Sequence, residues 1–441
     1  MKTKATSSIC LMMMVFAAAA MGYQSNENLH HWEVASPDPD RIFLSFYGDV
    51  ATSRAVTWRT DTSVTTAVAQ IAKSTANPNF VDAAKTIKAQ TETIDLNQIA
   101  LNTQGKVNYH SVILNELEPE TLYAYRVGDG QDHWSEWIQF ETAAVTEKPF
   151  SFVYFGDAQN GILSHWSRVI RMSCQKAPDA AFAIHAGDLI NKAHYDMEWA
   201  EWFKAGGWIH AQRTGVPVLG NHELVPPAIN TNRKRTLSIL WRPQFTLPIA
   251  EQLPPSLHET VYAFDYQGLR VIVLNSMVDT EAQTEYLEEQ LKRPGAKWKA
   301  VTCHYPVFSP RSERDFPYAR KAWKPLLDKY HVDLVLHGHD HTYVRGRVPV
   351  RTEDGTYGDS FETMYITSVS GQKMHNPSQV ASERFAQEGY RPDEAAWEKQ
   401  FFQVISIDGN QLTYQAYTAD GKLYDEATIT KDFETGKKTL K

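Results

Sequence analysis

The sequence is poor in cysteine, in long apolar runs and in positive charge. Only three of its 441 residues are cysteine, too few for the disulfide framework of a small secreted domain. The formal net charge of −8 excludes a general attraction for nucleic acid or anionic membranes. Beyond residue 22, no run reaches the roughly 18 apolar residues that a membrane-spanning helix needs. We therefore expect a globular protein with no transmembrane anchor and no nucleic-acid partner.

The first 22 residues differ from the rest of the chain. Two lysines precede an apolar run at residues 9–21, and the small residues Ala20 and Gly22 fit a cleavage site. The run is too short to cross a bilayer. Cys10 precedes most of the run, which argues against a lipoprotein anchor. We expect residues 1–22 to be a signal peptide and the protein to be exported, either periplasmic or secreted.

Two cysteines remain after this leader, and they could pair in an oxidising compartment. Cys174 lies in a predicted helix, and Cys303 lies next to His304. Since the sequence does not give the distance between them, a disulfide stays open as an alternative. We expect two buried thiols instead.

Residues 36–145 have the pattern of an all-β domain, in a chain long enough for two domains. Turn residues separate short runs in which apolar and polar residues alternate, and this pattern predicts a β-sandwich of about seven strands. The clearest runs are residues 42–46, 55–58, 66–71, 109–114, 123–127 and 137–140.

After a short linker at residues 144–149 the periodicity changes, and residues 150–430 read as one α/β domain. Apolar strands alternate with predicted helices at residues 163–176, 195–212, 281–293 and 318–330. Later strands are predicted at residues 365–369, 402–407 and 412–417. Residues 371–400 read as a long loop with a short helix, and residues 431–441 as a charged, frayed tail.

Polar blocks follow five of the predicted strands. They are Gly156-Asp157, Gly187-Asp188, Gly220-Asn221-His222-Glu223, His304, and Gly338-His339-Asp340-His341. Any one of them could be an ordinary turn. In an open α/β sheet, however, ligands lie beyond the carboxyl ends of the strands, so five such ends converge on one crevice. Imidazole and carboxylate groups gathered there predict a site for a pair of metal ions.

In order and spacing, these blocks resemble those of the calcineurin-like metallophosphoesterases, and within them the purple acid phosphatase branch. Upstream, residues 117–125 resemble a fibronectin type III signature, and residues 37–41 resemble the module that precedes the catalytic domain in purple acid phosphatases. The resemblance implies an N-terminal all-β fibronectin III/Ig-like sandwich and a C-terminal α/β four-layer αββα metallophosphoesterase sandwich. We expect the first to be a scaffold, while exposed aromatics such as Trp134 leave weak glycan or surface contact open.

The resemblance also implies a ligand set and a mechanism. Asp157, Asp188 and His341 would bind the first metal, and Asp188, Asn221, His304 and His339 the second. Asp188 would bridge the two ions, and hydroxide held there would attack phosphorus in line. His222 would stabilise the phosphoryl group or protonate the leaving oxygen. Glu223 would orient a ligand without touching the ions.

The chain departs from the family at the fourth ligand of the first metal. Purple acid phosphatases have tyrosine three residues after the bridging aspartate, where this chain has Asn191. Other metallophosphoesterases have histidine two residues after the first aspartate, where this chain has Gln159. An amide oxygen from either residue, or water, could fill the position. Because a phenolate donor is lost, we expect two divalent ions (Fe, Mn or Zn) and no purple colour.

Substrate contacts are predicted at Asn160, Arg311, Arg314 and Tyr343, although the arginines could equally belong to a solvated loop. The predicted function is hydrolysis of small phosphate monoesters by an acid phosphatase-like, metal-dependent enzyme. A phosphodiesterase with the same metal core is the alternative. A non-catalytic binding protein with a vestigial metal domain is a hypothesis of a different class.

Overall fold

The computed structural model describes residue 30 and residues 32–98, 105–227 and 234–441. The predicted leader, residues 1–22, lies outside the described residues. Residues 35–441 form one structural unit, and the helices and strands of the described ranges lie within it. Within those ranges, no helix is both long and apolar enough to cross a membrane.

The first eight strands form a β-sandwich. They are β1 Asp40–Ser45, β2 Arg54–Asp61, β3 Val68–Lys73, β4 Lys85–Lys88, β5 Gln90–Asp95, β6 Lys106–Leu114, β7 Leu122–Gly128 and β8 Ile138–Glu141. Antiparallel pairing gives the orders β1-β2-β6-β5 and β4-β3-β7-β8. Alternate side chains of both sheets, such as Trp58 and Tyr125, meet in one apolar core.

The remaining strands build the second domain. They are β9 Phe150–Phe155, β10 Phe182–His185, β11 Thr214–Pro217, β12 Leu224–Val225, β13 Thr236–Leu237, β14 Tyr262–Tyr266, β15 Leu269–Val273, β16 Trp298–Thr302, β17 Leu334–His337, β18 Tyr343–Arg351, β19 Tyr357–Thr367, β20 Arg391–Ala396, β21 Phe401–Asp408, β22 Gln411–Thr418, β23 Leu423–Lys431 and β24 Lys438–Leu440. One sheet has the order β11-β10-β9-β21-β22-β23, and the other β14-β15-β16-β17-β19-β18-β20.

Helices cover the outer faces of these two sheets. They are α1 Ser167–Lys176, α2 Asp196–Gly206, α3 Trp208–Gln212, α4 Ala282–Lys292, α5 Pro317–Lys329 and α6 Gln379–Ala386. The period of two in β15 explains the layers: Val271 and Val273 belong to the core between the sheets, whereas Ile272 packs with α4 and α5. The result is the predicted four-layer αββα sandwich. The predicted run 195–212 is split at Gly207, whose φ of 51° ends α2.

The C-terminal segment is a strand and not the predicted frayed tail. β24 pairs with both β19 and β23. The ammonium groups of Lys431 and Lys438 lie 2.9 and 3.3 Å from the buried carboxylate of Asp333. The charges that suggested a solvated tail therefore face inward, onto a carboxylate. Likewise, residues 371–400 contain strand β20 in addition to the expected short helix.

Both remaining cysteines are free thiols. Cys303 is fully buried, and Cys174 is half-buried beside Arg213. The free thiols agree with the expectation and remove the disulfide alternative, but only Cys303 is buried as expected.

A buried ionic network joins the sandwich to the second domain. The carboxylate of Asp196, the first residue of α2, receives two hydrogen bonds from Arg41 of β1 at 2.6 and 2.8 Å. Arg59 of β2 donates to the same carboxylate at 3.2 Å and to Asp40. Burial raises the pKa of Asp196, but the two arginines outweigh it and hold the pKa below its usual value. The carboxylate is therefore charged and the two domains are held in register.

Replacing Asp196 with Asn removes a charge partner shared by two buried guanidinium groups. We expect the free energy of unfolding in urea to fall by about 3 to 5 kcal/mol. The matched control is Glu118→Gln, which breaks an exposed ion pair with Lys73 and should leave stability nearly unchanged. Equal losses in the two variants would contradict the role given to the network.

Candidate metal centre

The polar blocks predicted from the sequence meet at one edge of the second domain. Strands β9, β10 and β11 run parallel, as do β15, β16 and β17, so their carboxyl ends lie on the same side of each sheet. Donor atoms of Asp157, Asp188 and His341 all lie within 4.8 Å of one another, as do those of Asp188, His304 and His339. All five side chains are buried. The two groups share Asp188, which makes it the natural bridge between two ions.

The backbone at Asp188 is held in an unusual conformation by Glu223. Asp188 has a φ of 51°, in the left-handed region that costs free energy for a residue with a side chain. The fully buried Glu223 carboxylate accepts hydrogen bonds from the amides of Asp188 (3.0 Å), Leu189 (2.8 Å) and Gly220 (2.7 Å). Glu223 thus fixes the loops that carry Asp188 and Asn221 while taking no place among the donor atoms.

The histidine pair after β17 is turned inward by its backbone. His339 and His341 have φ values of 73° and 53°, and their side chains are almost fully buried. The preceding Gly338 is required by close packing. A Cβ atom there would lie 2.8 Å from Asp157 Oδ2 and 2.7 Å from a backbone carbonyl oxygen. Two left-handed histidines separated by one residue therefore direct both rings into the same crevice.

Backbone carbonyl groups orient two of the imidazole rings. His304 Nδ1 donates to the carbonyl of Ala186 at 2.8 Å, which leaves Nε2 facing Asp188 Oδ2 at 3.2 Å and Asn221 Oδ1 at 3.3 Å. His341 Nδ1 donates to the carbonyl of Lys373 at 3.1 Å. Such contacts fix the tautomer that presents Nε2 as a ligand.

The donor set fits metal ions. Both oxygens of Asp157 and Nε2 of His339 are buried and lack a hydrogen-bond partner among the described residues, a costly state unless a cation binds them. Burial, together with Asp188, raises the pKa of Asp157 to about 8. Burial lowers the pKa of His304, but Asp188 and Asp157 outweigh it and raise the pKa to about 9. Carboxylate, imidazole and amide donors suit divalent transition metals.

The two candidates for the extra ligand differ in position. The carboxamide of Gln159 is fully buried, with Nε2 2.8 Å from Asp188 Oδ2 and 3.2 Å from His341 Nε2. Turning this amide over brings its oxygen among the first group of donors. Asn191 acts instead through its backbone, whose carbonyl accepts a hydrogen bond from His222 Nδ1 at 2.5 Å.

Of the four predicted substrate contacts, Arg314 and Asn160 lie beside the donors, whereas Arg311 and Tyr343 make other contacts. Arg314 has Nη2 3.3 Å from His339 Nδ1, and Asn160 has Nδ2 3.3 Å from Gln159 Oε1. Arg311 pairs with Glu313 on the same loop. Tyr343 is wrong, because its side chain is fully buried and its hydroxyl is bonded to Asp425 and Tyr414. As the first residue of β18, it points into the core and not toward the opening.

Sequence reasoning missed several residues near the donors. The His375 amide donates to the carbonyl of His341 at 2.7 Å, and the two rings lie 5.5 Å apart. Arg235 donates to the carbonyl of Asn221 at 2.9 Å. The ring of Tyr305 lies 4.2 Å from that of His339. Only Tyr305 had a signal in the sequence, since it directly follows His304. The other two come from distant loops.

The shared role of Asp188 predicts how metal content responds to substitution. Asp188→Asn removes a donor from both groups, so it should lose both ions. Asp157→Asn removes a donor from the first group alone and should keep the ion of the second. Metal content after manganese loading and desalting, measured by mass spectrometry, checks this, with the exposed Asp359→Asn as control. An Asp188→Asn protein that retains two ions would contradict the arrangement.

Comparison with known proteins agrees with this geometry. Residues 39–142 match the family model "Purple acid Phosphatase, N-terminal domain", and residues 150–343 match "Calcineurin-like phosphoesterase". The chain is 28% identical over 287 residues to Purple acid phosphatase 23 of Arabidopsis thaliana, a match covering 55% of this chain and 60% of that protein. It is 24% identical over 359 residues to Probable purple acid phosphatase 20 of the same plant, covering 78% of each.

Solved structures support the fold. A purple acid phosphatase from yellow lupin seeds (Lupinus luteus) superposes with a TM-score of 0.72 at 19% identity, covering 91% of this chain and 76% of that one. PhoD superposes with a TM-score of 0.63 at 12% identity, covering 92% of both chains. The two family models match adjoining parts of the chain. The donor residues at the strand ends, with Asp188 common to both groups, agree with the same family. This chain belongs to the calcineurin-like metallophosphoesterases of the purple acid phosphatase type, a family of metal-dependent phosphoric ester hydrolases.

Proposed function

We propose that this protein is an exported hydrolase of phosphate monoesters that works with two divalent ions sharing Asp188. The observation that carries the proposal is the membership of Asp188 in both buried donor groups. Asp157, Asp188 and His341 would hold one ion and Asp188, His304 and His339 the other, and the bound pair would supply positive charge to the phosphoryl oxygens and activate a water for attack. Export rests on the pattern of residues 1–22, and the choice of divalent ions rests on the donor set.

His222 is suited to proton transfer at the substrate. Its Nδ1 donates to the carbonyl of Asn191, so Nε2 faces the site, 3.9 Å from Asp188 Oδ2. Its side chain is 27% exposed, unlike the buried donor residues. A ring fixed on one side and open on the other can donate a proton to the leaving oxygen or stabilise the phosphoryl group.

The charge of the site favours a monoester over a diester. Two carboxylates, Asp157 and Asp188, are the only anionic donors in the two groups, and the neutral Gln159 occupies the region where the family has an anionic or imidazole ligand. Two divalent ions would therefore leave an excess of positive charge, to which Arg314 adds. A dianionic monoester complements this excess better than a singly charged diester does.

The β-sandwich is best explained as a scaffold. The Asp196 network joins it rigidly to the second domain. Trp134, the aromatic residue considered for glycan contact, is covered by the guanidinium of Arg126 at 4.1 Å from its ring. Its indole N–H donates to the carbonyl of Gln131. One face of the indole and its polar edge are therefore already occupied within the fold.

The proposal predicts which substrate is hydrolysed faster. Protein stripped of metal and refilled with manganese, zinc or ferrous ion should hydrolyse 4-nitrophenyl phosphate faster than bis(4-nitrophenyl) phosphate. Asp188→Asn, treated identically, should hydrolyse neither. A preference for the diester would replace the proposal with a phosphodiesterase on the same core. No metal-dependent turnover of either substrate would favour a binding protein.

The proposed ligand set also predicts the colour of the iron-loaded protein. Since Asn191 stands where the family has a metal-binding tyrosine, oxidised iron-loaded protein should lack the intense visible band of tyrosinate bound to ferric iron. The Asn191→Tyr variant, which restores the family's residue, provides the positive control. Absorption spectra of both proteins at equal iron content make the comparison. An intense band in the unaltered protein would contradict the proposed ligand set.

A further inference from the structure

Tyr305 is held firmly against the donors of the second group. It follows His304 directly, and its ring stacks on Phe316 with a centroid distance of 4.1 Å and an interplanar angle of 14°. The ring of His339 lies 4.2 Å away on another side. The Tyr305 amide donates to Ser276 Oγ at 2.8 Å. Backbone and ring are both fixed, so the position of the hydroxyl is set by the surrounding protein.

The hydroxyl of Tyr305 is not used in hydrogen bonds within the described part of the chain. The residue is half-buried, and its hydroxyl makes no hydrogen bond to any described residue. Tyr125 and Tyr262, by contrast, use their hydroxyls within the fold: Tyr125 donates to the carbonyl of Ala211 at 2.6 Å and Tyr262 to that of Pro217 at 2.8 Å. A phenol placed beside a functional site with its polar atom unused is available to a ligand.

Two cationic side chains lie beside the same donor residues as the Tyr305 ring. Arg314 Nη2 lies 3.3 Å from His339 Nδ1, and Arg235 donates to the Asn221 carbonyl at 2.9 Å. The ring of Tyr305 lies 4.2 Å from that of His339 and 5.6 Å from that of His304. The phenol and the two arginines therefore lie beside the second group of donors, where an anionic phosphoryl group would bind.

We propose that the Tyr305 hydroxyl donates a hydrogen bond to a non-bridging oxygen of the transferred phosphoryl group, which makes Tyr305 a substrate-binding residue. This assignment rests on the proposed phosphoesterase function and deepens it. A neutral donor aimed at an anionic oxygen contributes affinity for substrate, transition state and product phosphate alike. The leaving oxygen is left to His222, whose open imidazole nitrogen can supply a proton.

The experiment measures orthophosphate binding to metal-loaded protein by titration calorimetry. Tyr305→Phe keeps the ring and its stacking and removes the hydroxyl alone, so Kd for orthophosphate should rise about 10-fold or more. The matched control is Tyr330→Phe. The Tyr330 hydroxyl donates to Glu288 on α4, and neither residue belongs to the two groups of metal-binding candidates. That variant should bind orthophosphate with unchanged affinity. Metal content and thermal midpoint are recorded for each protein.

Two results would overturn the assignment. One is Tyr305→Phe protein that holds both ions and binds orthophosphate as tightly as the unaltered protein. The other is Tyr305→Phe protein that has lost metal, because the residue would then act by supporting His339 and not by touching the ligand.

A pair of substrates with different leaving groups tests which oxygen is contacted. In Tyr305→Phe, kcat/KM should fall by the same factor for 4-nitrophenyl phosphate and for phenyl phosphate, whose leaving group is poorer. A much larger loss with phenyl phosphate would assign the donor to the leaving oxygen and overturn the proposal. Failure of the proposed function would give a different result: the unaltered protein would bind orthophosphate but hydrolyse no ester. In that case, the orthophosphate affinity of Tyr305→Phe, measured by calorimetry, would still decide the role of Tyr305.

Discussion

The structure depends on burying two carboxylates, Asp157 and Asp188, side by side in one crevice. Such a burial is costly without positive charge nearby. In the described chain, both oxygens of Asp157 have no partner, while His304 carries a raised pKa beside Asp188. The crevice is therefore built for cations. The strand ends and the inward-turned histidines both serve that single requirement.

Strain at the site is supported by rigid surroundings. Asp188, His339 and His341 all adopt left-handed backbone conformations, each of which costs free energy unless the neighbouring structure imposes it. Glu223 imposes the left-handed conformation on Asp188 by accepting hydrogen bonds from four backbone amides, those of Asp188, Leu189, Ile190 and Gly220. The parallel strands on either side fix where the loops begin and end. Further away, Asp196 ties the sandwich to α2, so the scaffold and the site form one continuous frame.

The meeting of the two donor groups in one crevice was predictable because each donor residue lies just after an apolar strand, and the carboxyl ends of parallel strands lie on the same side of a sheet. Other features needed three dimensions. Strands β4 and β5 have mostly exposed residues and so lack the apolar alternation that marks a strand. The charge of Lys438 predicted solvent, yet it faces the buried Asp333. Tyr343 lies two residues from a donor, but the alternation of β18 turns it into the core.

The most direct test of the shared aspartate is anomalous diffraction from crystals soaked in manganese. The account predicts two anomalous peaks about 3.5 to 4 Å apart, with the carboxylate of Asp188 between them, Asp157 and His341 on one side, and His304 and His339 on the other. A single peak, or two peaks that share no carboxylate, would contradict it.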